Sequence, residues 1–292
     1  MAISVPTMQQ LLEAGVHFGH QVRRGNPRMG EYIYGVREGV HIVNLEYSEK
    51  LLQAAAEYAY NLGKNGKVIL FVGTKKQAQP IIVEWAKKTG APYVDFKWMG
   101  GSLTNFDEIR KNVKKLLDLK EKQEKGELSH YTKKEQLLIS KKLAKFEKEW
   151  GGVALMDKLP DALFIVDCQS DKTAVLEANR MNIPIIGIAD TNCNPILLSF
   201  PIPGNDDAAK SIKILTETVA KAYQEGLGKG EDKKKEISDK EKDHPKDDQP
   251  LAETAEKADK IEETKGSEIE ADVAAAEEEI EKKAVEDAER VI

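Results

Sequence analysis

The chain has 292 residues, 32% of them charged, with a formal net charge of −6, and that acidity is unevenly placed. From Lys229 to Ile292 there are 23 acidic and 13 basic residues and no Phe, Trp, Tyr or Cys, so residues 229–292 are expected to be an acidic disordered tail without a core. Residues 1–228 carry a net +4, and their two cysteines in no CxxC spacing exclude a disulfide framework and a cysteine zinc site.

No apolar run approaches the ~20 residues of a membrane span, and "MAISVPTMQQLLEAG" lacks the basic start and long apolar core of a signal peptide. A reducing, cytoplasmic setting is expected.

In chain order, an N-terminal arm over residues 1–39 precedes the first short β-rich run, "VHIVNL" at 40–45. "KVILFV" (67–72), "PYVDF" (92–96), "DALFIVD" (161–167) and "IPIIGIAD" (183–190) follow. Several are apolar at nearly every position, as strands covered on both faces are. Helical patterns fall at about 46–63, 74–89 and 171–181, with a last one from Asp206 to Gln224. The alternation predicts an α/β fold with a doubly wound parallel five-stranded sheet, flavodoxin- or Rossmann-like, over residues 1–103 and 151–228.

The stretch from Lys97 to Pro160 is far longer than one crossover helix needs. Phe106, Ile109, Val113 and Leu116 recur at steps of three and four, as do Ile139, Leu143, Phe146 and Trp150, with "KGELSHYT" as a turn between them. An inserted helical coiled-coil hairpin over 104–150 is predicted, its two apolar seams facing each other. Each arm, at 1.5 Å per residue, would reach roughly 30 Å from the body.

"FVGTKK" at 71–76 stands where a dinucleotide-binding turn would, and Asp95 lies near the distance expected of a ribose-binding carboxylate. The glycine that lets a pyrophosphate approach the backbone is replaced by Lys75, however, and a P-loop counted from Gly73 finds Ala78, Gln79 and Pro80 in its key places. A helix start beside Lys75 and Lys76 still favours an anion, and a polymer phosphate fits better than an enclosed cofactor.

His17, His20, Asp190, Asp206 and Asp207 are candidate ligands of a divalent metal, although Asn205 capping the last helix would explain the two adjacent carboxylates equally well. No catalytic signature occurs. A phosphate- or nucleotide-handling enzyme, with Asp167 and Asp190 at strand ends, is the alternative to a binding protein.

Basic residues fall repeatedly in turns and at element ends: Arg23, Arg24, Arg28 and Arg37, then Lys75 and Lys76, and Lys97 beside Trp98. Such positions suit phosphate contact, with Trp98 available for base stacking or for the core. The hairpin adds "RKNVKK" at 110–115.

The blocks "LLEAGVHFGHQ", "NPRMGEYIYGVREGVHIVNL", "ILFVGTKKQA", "KWMGGSLTNF", "LPDALFIVD", "IPIIGIADTNCNP" and "IPGNDDA" resemble, in order, the bacterial small-subunit ribosomal protein S-two family over roughly residues 5–225. The resemblance implies a non-catalytic sheet domain with a protruding hairpin, bound to small-subunit ribosomal RNA. It also implies help in docking ribosomal protein S-one, the large OB-fold protein that captures messenger RNA, and no homo-oligomer in the functional state.

Carried over residue by residue, the RNA contacts are expected at Arg23, Arg24, Arg28, Lys75, Lys76, Lys97, Trp98, Asn105, Arg110, Lys111, Lys114 and Lys115. No cofactor is expected beyond the possible metal. Two departures stand out. Lys97 replaces the family's usual arginine, losing its planar fork. Asn194 in "DTNCNP" replaces a carboxylate.

Overall fold

The computed structural model describes residues 4–125, 132–154 and 156–242. Its centre is a five-stranded, all-parallel sheet in the order β5-β4-β6-β7-β8. The strands are β4 (Ile69–Val72), β5 (Tyr93–Val94), β6 (Ala162–Val166), β7 (Ile185–Ala189) and β8 (Phe200–Pro203). Every residue of β4, β6 and β7 is buried, as the unbroken apolar runs require of strands covered on both sides.

Alternation along each strand divides the core. Ile69, Phe71 and Phe164 face one cluster with Leu52, Ala59, Leu215 and Val219, while Leu70, Val72, Leu163 and Ile165 face another with Val175, Ala178, Trp98 and Leu103. The helices on the two sides are α1 (Met8–Glu13), α2 (Leu45–Lys64), α3 (Gln79–Thr89), α6 (Lys172–Arg180) and α7 (Ala209–Lys242). The expected doubly wound α/β architecture holds.

Its membership differs from expectation in one strand. "VHIVNL" does not join the parallel sheet: β3 (Val40–Val43) is the middle strand of a small antiparallel sheet with β1 (Phe18–Gln21) and β2 (Ile33–Arg37). Glu38 and Gly39, with φ 52 and 78, form the two-residue turn between β2 and β3, and positive φ at both central positions matches the twist of a hairpin. The fifth parallel strand is instead "FPIP", pairing Ile188 with Ile202 along β7. Two prolines cost it ladder donors, which is tolerable only at an edge, and β8 is an edge.

Helix α7 runs to Lys242, well past Gln224, so its backbone continues into the first residues of the expected tail. The rest of the expected disordered tail, 243–292, lies outside the described residues. Helices α2 and α7 touch backbone to backbone: a Cβ on Gly63 would sit 2.3 Å from the Tyr223 carbonyl oxygen, and one on Gly226 2.2 Å from that of Tyr60.

Between β5 and β6 the chain forms α4 (Phe106–Glu124) and α5 (Lys133–Trp150). Ile109, Val113, Leu116, Leu143 and Trp150 are buried in one cluster, with Phe146 partly buried against it, as the two seams predict. Thr132 opens α5 with a capping box to Glu135, and Lys120 pairs with Glu147 across the arms at 2.7 Å.

Candidate nucleic-acid interface

The carboxyl edge of the parallel sheet is where such folds usually take a ligand. Here β4 passes into α3 through Gly73, whose missing side chain admits Ile82 of the helix, a Cβ there falling 2.7 Å from Ile82 Cγ1. Two residues on, the Lys75 ammonium lies 2.9 Å from Asp167 Oδ2, 2.6 Å from Asp206 Oδ1 and 2.7 Å from Asp207 Oδ1. Its side chain is only 19% exposed.

Lys75 therefore does not offer the free cation expected for a phosphate: three carboxylates from the end of β6 and the turn before α7 already hold it. Burial alone would push its pKa down, but Asp206, Asp207 and Asp167 outweigh that and hold the ammonium charged.

The carboxylates are fixed in turn. Asp167 adopts φ 64, a strained backbone for a non-glycine residue, and accepts hydrogen bonds from the Gln169 and Ser170 amides at 3.1 and 2.9 Å. Burial would raise its pKa, yet the Ser170 and Lys75 bonds bring it below the usual value. Asp206 shifts the other way, raised by burial and by the Asp190 and Asp167 carboxylates beyond what Lys75 restores. Asp171, which accepts from the Thr74 hydroxyl at 3.0 Å, is raised to about 6, chiefly by burial.

The N-terminal arm closes over this edge. His20 Nδ1 lies 3.1 Å from Asp190 Oδ1 and Nε2 3.4 Å from Asp207 Oδ2, and the imidazole pKa is raised, first by the Asp190 bond. The His20 amide donates to Thr191 Oγ1 at 2.8 Å and the Asn26 amide to the Thr191 carbonyl at 2.7 Å.

Of the candidate metal ligands, His20, Asp190 and Asp206 come together, one ligand atom of each lying within 4.8 Å of the others. Asp207 reaches His20 and Lys75 from the rim. His17 is not in the cluster; it packs on Phe18, ring centroids 4.0 Å apart, and burial lowers its pKa. Asn205 does not cap α7, which starts at Ala209; its Oδ1 accepts from the Asp207 and Ala208 amides at 2.8 and 3.2 Å and folds the turn that precedes the helix.

Trp98 is also placed differently from a stacking platform. It is buried in the core, and its indole N–H donates to Glu177 at 3.1 Å. Glu177, on α6, is a residue that no motif in the sequence singles out. The available signal is a glutamate among the inward positions Ala174, Val175 and Ala178 of that helix.

The remaining predicted contacts lie at the surface. Arg23, Arg24 and Arg28 are exposed on the arm, Lys76 on the turn beside Lys75, Lys97 and Asn105 at the hairpin root, and Arg110, Lys111, Lys114 and Lys115 along α4. Lys111 pairs with Glu108 at 3.0 Å, an exposed pair of small energetic consequence.

Residues 11–226 match the family model for ribosomal protein S2. Three similar relatives carry the name small ribosomal subunit protein uS2. The one from Wolinella succinogenes is 47% identical over 75% of this chain and 81% of its own length. Those from Helicobacter hepaticus and Syntrophobacter fumaroxidans are 43% and 45% identical, covering 79% and 82% of this chain and each 87% of its own. With the fold, the occupied crevice and the exposed basic arm and hairpin in place, the match over most of the chain makes the conclusion plain: this chain belongs to the ribosomal protein S2 family.

Proposed function

We propose that the chain is a non-catalytic structural constituent of the small ribosomal subunit in the cytoplasm, and that it binds small-subunit ribosomal RNA. The observation that carries this reading is the division of its basic residues. Lys75 is used internally, while those of the arm, the β4–α3 turn and α4 stand free of the core. A phosphate- or nucleotide-handling enzyme is disfavoured, because Lys75 and its three carboxylates take the crevice such a ligand would enter.

The test is the affinity for subunits depleted of the protein as salt is raised. Removing one phosphate-binding side chain lowers the slope of log K against log salt by about 0.7 to 0.9. Lys114→Ala with Lys115→Ala is expected to weaken binding and flatten that slope by roughly 1.5. An unchanged slope rejects these two lysines as phosphate ligands.

Docking of ribosomal protein S-one is proposed for the groove between α1 and the antiparallel sheet. This groove, of about 730 Å³, is lined by Leu12, Phe18, Tyr34, Val36 and Ile42. Tyr34 is 80% exposed and Val36 56%, a concentration of apolar surface that suits a partner protein better than RNA.

The His20, Asp190 and Asp206 triplet also supports a divalent cation bound at this edge beside Lys75. A rise in the melting temperature of the wild-type chain on adding Mn²⁺ or Zn²⁺, absent in His20→Ala, checks it; no rise rejects it.

A further inference from the structure

We infer that Glu177 is a positioning residue for the RNA interface: its buried carboxylate ties down the loop Trp98–Thr104 and thereby sets the direction in which the hairpin leaves the body. The inference rests on the RNA-binding reading above. Oε1 accepts the Trp98 indole N–H at 3.1 Å and the Gly101 amide at 2.8 Å. Oε2 accepts the Leu103 amide at 3.0 Å, the Thr104 amide at 3.3 Å and the Thr104 hydroxyl at 3.4 Å. Five donors from seven successive residues thus converge on one side chain of α6 that is 8% exposed.

These bonds are made to a charge out of water, where they are stronger than neutral ones. Burial would raise the carboxyl's pKa, but the Leu103, Gly101 and Trp98 bonds bring it below the usual value, so it remains an acceptor throughout. Glu177 itself does not reach an RNA, since both oxygens face the loop.

What it controls is leverage. The loop carries Lys97 at one end and Asn105 at the other, and α4 begins at the next residue. A helix of 19 residues extends roughly 28 Å, so a tilt of about 10° at its root moves its far end by about 5 Å. That displacement is near the spacing of successive phosphates. A loop held by one carboxylate presents Arg110, Lys111, Lys114 and Lys115 already aimed; a loose one must be ordered on binding, at a cost in affinity.

The test is Glu177→Gln in the full chain, read by hydrogen exchange at the Gly101, Leu103 and Thr104 amides and by binding to depleted subunits across a salt series. Faster exchange at those amides is expected, with core strands still protected, together with an affinity loss of about tenfold and an unchanged salt slope. The slope separates poor aim from missing charge, because the Lys114→Ala, Lys115→Ala pair must lower it while leaving the amides protected.

Wild-type affinity in Glu177→Gln, with the wild type binding normally, overturns the positioning role alone. A wild type whose binding ignores salt overturns the RNA reading itself. Should Glu177→Gln fail to fold, Trp98→Phe removes one donor while keeping an aromatic ring. It is expected to lose affinity several-fold at constant slope, and no loss there overturns the inference.

Discussion

Lys75 and Lys76 are adjacent, yet their surroundings give them opposite work. The first neutralises Asp167, Asp206 and Asp207, while the second is exposed. Lys75→Ala leaves buried carboxylates without a counter-ion and is expected to cost about 3 kcal/mol in urea denaturation, whereas Lys76→Ala stays within about 0.5 kcal/mol. Asp171 gives a pH signature. Its carboxyl rises from 3.8 in the unfolded chain to about 6 in the fold, so the proton is held more tightly by the folded state. The stability it contributes is complete below about pH 4 and is lost as pH rises to about 6. Asp171→Asn removes that loss, so the stability difference between wild type and variant is expected to change between about pH 4 and 6 and to stay level above it. None of this is legible locally: Asp206 lies 131 residues from Lys75 in the chain, and sequence spacing carries no distance in space. What can be read is that Lys75 stands where a nucleotide-binding turn needs glycine, and the structure shows what it does instead.

At the scale of elements, periodicity is the reliable guide. The steps of three and four at Ile109, Val113 and Leu116 name the inner face of the hairpin, and unbroken apolar runs name β4, β6 and β7. β8 escapes because Pro201 and Pro203 read as breakers, and only its place at the sheet edge makes them acceptable. The run at 40–45 misleads for the opposite reason, since strand character does not say which sheet a strand joins. The contact of α2 with α7 is equally hidden, because a glycine required for close approach looks like any other in a helix. It has a direct test: Gly226→Ala forces a methyl group into the Tyr60 carbonyl and is expected to destabilise by about 1 to 3 kcal/mol. Gly228→Ala, with open space around it, is expected to raise the melting temperature through helix propensity alone.

For the molecule as a whole, the fold has the architecture of ligand-binding α/β proteins, and the edge where such folds usually take a ligand carries the Lys75 ammonium and its three carboxylates, so architecture alone does not give function. Among the described residues, the basic arm and hairpin and the apolar groove at Tyr34 and Val36 are surfaces open to a partner. If the groove serves S-one, Tyr34→Ser with Val36→Ser is expected to reduce S-one occupancy on small subunits several-fold without changing the protein's own incorporation. Equal occupancy, measured on gradient-purified subunits, rejects that surface.

The arm that covers the sheet edge also has a consequence for how the chain is made. Val16 and Gly15 bond to Asn205, His20 and Asn26 bond to Thr191, and Ser48 bonds to the Pro203 carbonyl. The arm thus has partners among residues made some 170 to 190 positions later. Until Thr191 and Asn205 are made, the arm with Arg23, Arg24 and Arg28 can pair with β3 but lacks these partners at the sheet edge, and a nascent chain stalled short of them carries that side of the arm uncovered.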